Sequence, residues 1–160
     1  MKPIDWLYII ILLGVVLTAV QLLRQWLKKR HDSAMLRERV HQQKDRYAFL
    51  IDRKLRVKET NFYELNDAIE DDQPYVLGNV LHCQEGCESG LCGTGISCEE
   101  CPIRLVLRNA FKLRRDFADI AATMQTYDAA HQVQETDVIV DGKLVYVGKE
   151  PLLLVTVKTA

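Results

Sequence analysis

Little in this sequence carries net charge, repeats itself or resembles a catalytic signature. Across 160 residues, 21 Lys and Arg face 22 Asp and Glu, leaving a formal net charge of −1. A chain so balanced has no overall field to draw nucleic acid, which is not an expected partner. No internal repeat or low-complexity tract is present, so solenoids and biased linkers are set aside. No Ser/His/Asp triad, phosphate-cradling loop or pair of catalytic carboxylates can be picked out, and an enzyme is not expected. Cysteine is absent everywhere except between positions 83 and 101, where all five occur among four glycines. Thiols placed only to fill a core would not be confined in this way. They either bind a metal or cluster, or exchange with one another.

Polar residues are nearly missing from Ile4 to Leu23 as well, with Asp5 at the edge and Thr18 inside. About twenty helical residues cross about 30 Å of hydrocarbon, so the run is expected to be a transmembrane anchor. Trp6 and Tyr8 stand at one end and Trp26 at the other, where amphipathic rings favour the interface. A cleaved signal peptide would have a shorter apolar region, a basic lead-in and a small-residue cleavage site. Positive charge is sparse before the run (Lys2 alone) and dense after it, at Arg24, Lys28, Lys29, Arg30, Arg37 and Arg39. That asymmetry predicts a single-pass protein with its C-terminal part in the cytoplasm. Thiols stay reduced there, which favours metal binding or catalysis over a disulfide framework, and five is an odd number for pairing.

Neither Pro nor Gly interrupts the charge-rich stretch from Leu22 to Arg46. It is expected to be a helical connector, solvated, with too sparse an apolar repeat for three coiled-coil heptads. At Tyr47 the period changes. Tyr47–Ile51 is a short apolar strand, Asp52-Arg53-Lys54 a polar turn, and Leu55–Thr60 a second strand of a hairpin. Asn61 ends it, Phe62–Leu65 begins a helical turn, and residues 70–74 form a polar break before an apolar approach from Tyr75 to Leu81. Pro102 opens a helix whose apolar face includes Ile103, Leu107, Ala110 and Phe111. Strands are expected at Phe117–Tyr127, His131–Val140, Lys143–Val147 and Leu152–Lys158. Asp141-Gly142 gives the strongest short hairpin signal and Gly148–Pro151 a further turn. The fold class is therefore α+β, an antiparallel sheet with helices on one face, behind one transmembrane helix. Three segments follow: 1–27 anchor, 28–46 connector and 47–160 globular domain.

Phe49-Leu50-Ile51-Asp52-Arg53-Lys54-Leu55-Arg56-Val57, followed by Asn61, resembles the opening of a PAS domain. Cys83 after Leu81, then Cys92-Gly93-Thr94 and Cys98-x-x-Cys101 leading into a helix, is similar to a cysteine-containing subset of bacterial PAS sensors. The resemblance covers about residues 47–158, and Cys87 is extra to that subset. It implies a PAS-like sheet and a sensory role. With Ala160 directly after the last expected strand, no output domain is expected, so signalling would pass through a partner protein, with a homodimer as one arrangement.

Cys98 and Cys101 at a helix start would meet unpaired N–H groups and partial positive charge, which favour thiolates. Gly86, Gly90, Gly93 and Gly95 let the loop fold tightly and aim N–H groups at sulfur. Cys83, Cys92, Cys98 and Cys101 are the expected metal ligands, and Cys87 is the alternative fifth. Four thiolates suit zinc or an iron–sulfur cluster, and the sequence does not separate them. A thiol–disulfide switch with Cys87 as resolving partner is a rival, as is a zinc-stabilised interaction module without sensing. His82 is expected to be a loop residue, His131 a strand residue without a haem role, and Glu85, Glu88, Glu99 and Glu100 solvated. The reading is a membrane-anchored cytoplasmic PAS-like module responding to redox state, oxygen or nitric oxide.

Overall fold

A computed structural model describes residues 3–66 and 75–159, with backbone alone at 3–5 and 7. The polar break expected at 70–74 lies outside the described residues. Helix α1 (Pro3–His41) runs unbroken through both the apolar run and the charged stretch. Its part from Tyr8 onward is long and apolar enough to cross a membrane, and the most apolar window is wholly unburied. With its one Pro at the first position and a single Gly, it contains nothing that would force a kink.

Strands β1 (Tyr47–Ile51) and β2 (Val57–Thr60) form the first hairpin. Its turn is set by Asp52, whose Oδ1 accepts the N–H groups of Lys54 at 2.8 Å and Arg56 at 3.1 Å. Leu55 sits in that turn at φ 60° rather than in the strand, yet its side chain is buried. Short helices α2 (Phe62–Leu65), α3 (Leu77–Val80) and α4 (Gln84–Glu88) follow, then a 3-10 turn at Ile96–Glu99. Helix α5 (Pro102–Leu113) starts at Pro102, whose missing N–H is no loss in a first turn. Strands β3 (Phe117–Tyr127), β4 (Val133–Val147) and β5 (Glu150–Thr159) complete a five-stranded antiparallel sheet in the order β2-β1-β5-β4-β3.

No turn forms at Asp141-Gly142, contrary to the local signal; both lie within one continuous β4. The reason is tertiary. A Cβ at Gly142 would collide with the ring of Phe117 on the neighbouring strand. Asp141 Oδ1 accepts the Asp119 N–H at 2.8 Å, where β3 bulges and Asp119 takes φ 55°. The β3–β4 reversal falls instead at Asp128, whose Oδ1 accepts the N–H groups of Ala130 and Gln132, both at 2.8 Å. His131 is thus a turn residue at φ 57°, not a strand residue. Gly148, at φ 63°, makes the β4–β5 reversal beside the Val147–Glu150 pair.

Both sheet faces are covered, which corrects the expectation of helices on one face alone. Phe49, Ile51, Leu153, Val155 and Val157 pack with Leu107, Ala110 and Phe111 of α5 and with Phe62, Leu77 and Val80. Across the sheet, Ala48, Leu50, Val147 and Leu152 pack against Leu36 and Val40 of α1. The end of the connector is therefore docked rather than solvated, with Val40 fully buried. Alternate β1 residues enter opposite cores, so nearly the whole strand is buried.

Two further contacts fix α1. His41 reaches Glu59 at 3.0 Å and Glu64 at 2.7 Å, and Arg37 reaches Glu59 at 3.1 Å. Asn61, 1 % exposed, accepts the Ala48 N–H at 2.7 Å and donates to the carbonyls of Gln43 and Arg46 at 2.7 and 3.1 Å. One asparagine thereby holds the passage from α1 into β1.

Candidate thiol site

The apolar approach to the cysteines is the helical turn α3, which buries Leu77, Asn79 and Val80. His82 then takes φ 53° and turns the chain back toward β3. Cys83 bridges Thr126 and its residue serves as N-cap of α4. Between Gly90 and Gly93, both at positive φ, Cys92 comes against Gly78. A Cβ at position 78 would collide with Cys92 Sγ, so this close approach requires glycine.

Asn79 holds the loop in this course. Fully buried, it accepts the Cys92 N–H at 2.7 Å and donates to the carbonyls of Gly86 and Gly90 at 3.2 and 3.4 Å. Buried backbone groups need such partners, and Asn79 meets three of them. Sequence reasoning missed it, because an asparagine within an apolar run carries no local sign of what it will bond. It also missed Gly78.

Cys83, Cys92 and Cys101 line one cavity of about 40 Å³, walled by Leu77, Leu107 and Met124 among others. Cys98 is buried in the 3-10 turn, and Cys101 caps α5 from the N-terminal side. Burial pushes the Cys83 thiol up, and the negative charges of Cys101 and Cys98 add to this, against N–H bonds from Gly86 and Glu85. Burial likewise pushes Cys92 up to about 11, with Cys98 and Cys83 adding and the Gly78 N–H and Arg104 opposing. Cys87 is raised by burial, then by Cys83 and Glu88. Cys83 thus faces Cys92, Cys98 and Cys101, Cys92 also faces Cys98, and Cys87 faces Cys83 and Glu88. All five are free thiols. Among the described residues, however, no three His, Cys, Asp or Glu side chains are grouped as they would be to hold a metal ion.

Of the expected loop glycines, Gly86 does direct its N–H at a sulfur. Glu85 and Glu88 are not merely solvated. Glu85 accepts from the Ser97 hydroxyl at 3.0 Å, and Glu88 accepts from Tyr127 at 2.8 Å and Gln84 at 2.7 Å. His82 stacks on Phe62, with ring centroids 6.4 Å apart. Arg104, one helical turn after Cys101, lies with its guanidinium over Gly93. That i, i+3 spacing could have marked it from sequence. A larger cleft of about 490 Å³ opens nearby, between Tyr47, Phe62 and His82 on one side and Met124, Tyr127 and Val138 on the other.

No family model matches the chain, and no curated protein matches it. Among solved structures, the E. coli DhaR(N)-DhaL complex is similar over 92% of this chain and 41% of the matched chain, with 17% identity and a TM-score of 0.40. A likeness at that level carries no weight for function.

Proposed function

We propose that this chain is a membrane-anchored, PAS-like signal-sensing module whose four-cysteine site binds a metal or an iron–sulfur cluster. The observation that supports this reading is the shared cavity of Cys83, Cys92 and Cys101, with Cys98 buried in the adjoining 3-10 turn. Burial and neighbouring sulfurs raise Cys83 and Cys92, and a cation that takes them as thiolates would offset that cost. N–H groups of Gly86, Glu85 and Gly78 already directed at two of the sulfurs are the usual outer support of such ligands. The five-stranded antiparallel sheet, with short helices between β2 and β3, supports the PAS-like reading. The charge asymmetry about the apolar run supports a cytoplasmic domain. Redox state, oxygen or nitric oxide would act on the site, and the change would leave through the sheet or α1 to a partner protein.

The cofactor is the first thing to measure. The ligand spacing does not match a single ion as it stands, so loading requires the 83–101 loop to adjust around the bound group. The test is full-length protein purified in detergent without oxygen, followed by iron, sulfide and zinc analysis and visible absorption. Stoichiometric iron and sulfide with broad absorption, abolished by Cys83→Ser, Cys92→Ser, Cys98→Ser or Cys101→Ser and kept by Cys87→Ser, is the expected result. Stoichiometric zinc that oxidants leave in place would make this an interaction module instead. Colourless protein with neither metal sinks both. A thiol-exchange switch is disfavoured by raised Cys83 and Cys92 thiols, since the thiolate is the attacking form.

A further inference from the structure

Helix α1 and the outer face of the sheet enclose a groove of about 770 Å³ whose helical wall is Trp26, Lys29, Arg30 and Arg37. With Ser33 and Ala34 between them, the lining positions follow one another at steps of three or four along one stripe of the helix. Leu50, Val147 and Leu152 contribute apolar side chains to the opposite wall. Of the cations around the groove, Arg37 is paired with Glu59 and Lys58 with Asp52. Lys29 and Arg30 have no ion pair among the described residues, and Glu150 is the remaining carboxylate. Arg30 is held over the Trp26 ring, 4.7 Å from its centroid.

Depth decides what meets these cations. The apolar run ends at Leu23, and Trp26 marks the interface. Arg30 is one turn further, about 6 Å along the axis. The headgroup layer on each side of a bilayer is about 5–7 Å deep. Lys29 and Arg30 therefore stand at phosphate level, at the mouth of a groove with an apolar wall. We infer that this groove binds the headgroup of an anionic phospholipid, with its phosphate between Lys29 and Arg30. The inference rests on α1 being a membrane span.

The test uses the full-length chain. First, membranes of phosphatidylcholine carrying the protein are washed with alkaline carbonate. The protein is then exchanged into detergent with phosphatidylglycerol, phosphatidylcholine or inorganic phosphate, and retained lipid is read by native mass spectrometry. One phosphatidylglycerol per chain, retained in preference to phosphatidylcholine, is expected. The Lys29→Gln/Arg30→Gln double variant should weaken retention by roughly tenfold or more, given about fivefold for each basic residue beside an anionic surface. Lys143→Gln, a surface charge on β4, should leave it unchanged. Equal retention of the two lipids, an unaffected double variant, or displacement by inorganic phosphate overturns the lipid site while the anchor stands. Release of the protein by the carbonate wash overturns the anchor, and the lipid site with it.

Discussion

The two faces of the sheet are held by different forces. On the α1 face, Leu36 and Val40 insert between Ala48, Leu50, Val147 and Leu152, and polar contacts of His41 and Arg37 with Glu59 and Glu64 close the rim. Each such apolar side chain contributes roughly 1.5–3 kcal/mol on burial, whether or not anything is bound. On the thiol face, a helix-poor stretch from Leu81 to Cys101 is kept in place by Asn79, by N–H groups aimed at sulfur and by the close approach at Gly78. That side buries backbone polar groups, so its order rests on hydrogen bonds more than on apolar packing. One face is a permanent dock. The other is held by the hydrogen bonds of Asn79 and the close approach at Gly78.

Removing Asn79 should break this contrast most severely. Asn79→Ala leaves one N–H and two carbonyls without their partner, and a loss of about 3 kcal/mol or more is expected. Urea unfolding of the detergent-solubilised chain measures it, and hydrogen exchange at Cys92 should accelerate with it. A loss under about 1 kcal/mol would mean water replaces the side chain and the loop is not held as described.

Leu36→Ala tests the other face and should cost about 2–3 kcal/mol, at the lower end for a buried leucine at the edge of a core. Alkylation rates at Cys83 and Cys92 should stay unchanged in this variant. If they rise, the two faces are coupled through the sheet and the contrast drawn above is wrong in kind.

Asp52→Asn gives the smallest effect, about 1 kcal/mol at neutral pH. Burial alone would raise its pKa, but the N–H groups of Arg56 and Lys54 and the Lys58 ammonium outweigh this and hold it below 3.8. A carboxylate depressed on folding stabilises above its unfolded pKa, and that contribution is lost as pH falls through the lower folded value. The wild type should therefore lose its advantage over Asp52→Asn only below about pH 4. An advantage that vanishes nearer neutrality would assign the stability to another group.

The parts of this architecture legible in sequence are those fixed by local rules. Tyr47–Ile51, Phe62–Leu65, Phe117–Tyr127 and the Pro102 helix start fall where the pattern places them, because period, turn residues and first-turn preferences act over a few positions. The expected Asp-Gly hairpin does not form because Phe117 and Asp119, more than twenty positions away, claim those two residues. Docking of Leu36 and Val40 was invisible for a similar reason: two apolar residues on a charged helix become a core only when another face is supplied. The crowding of five cysteines into one stretch was legible in the chain, whereas the hold of Asn79 and Gly78 on Cys92 depends on how the loop returns.

An unbroken α1 also has a mechanical consequence. At 1.5 Å per residue, its 39 residues make a rod of about 58 Å. A rod pinned at one end by Val40, His41 and Asn61 behaves as a lever, not as a tether. A tilt of about 5° where it meets the sheet carries its far end through about 5 Å over that length. A small rearrangement beneath Ala48 and Leu50 would therefore move the opposite end of the helix by a much larger distance.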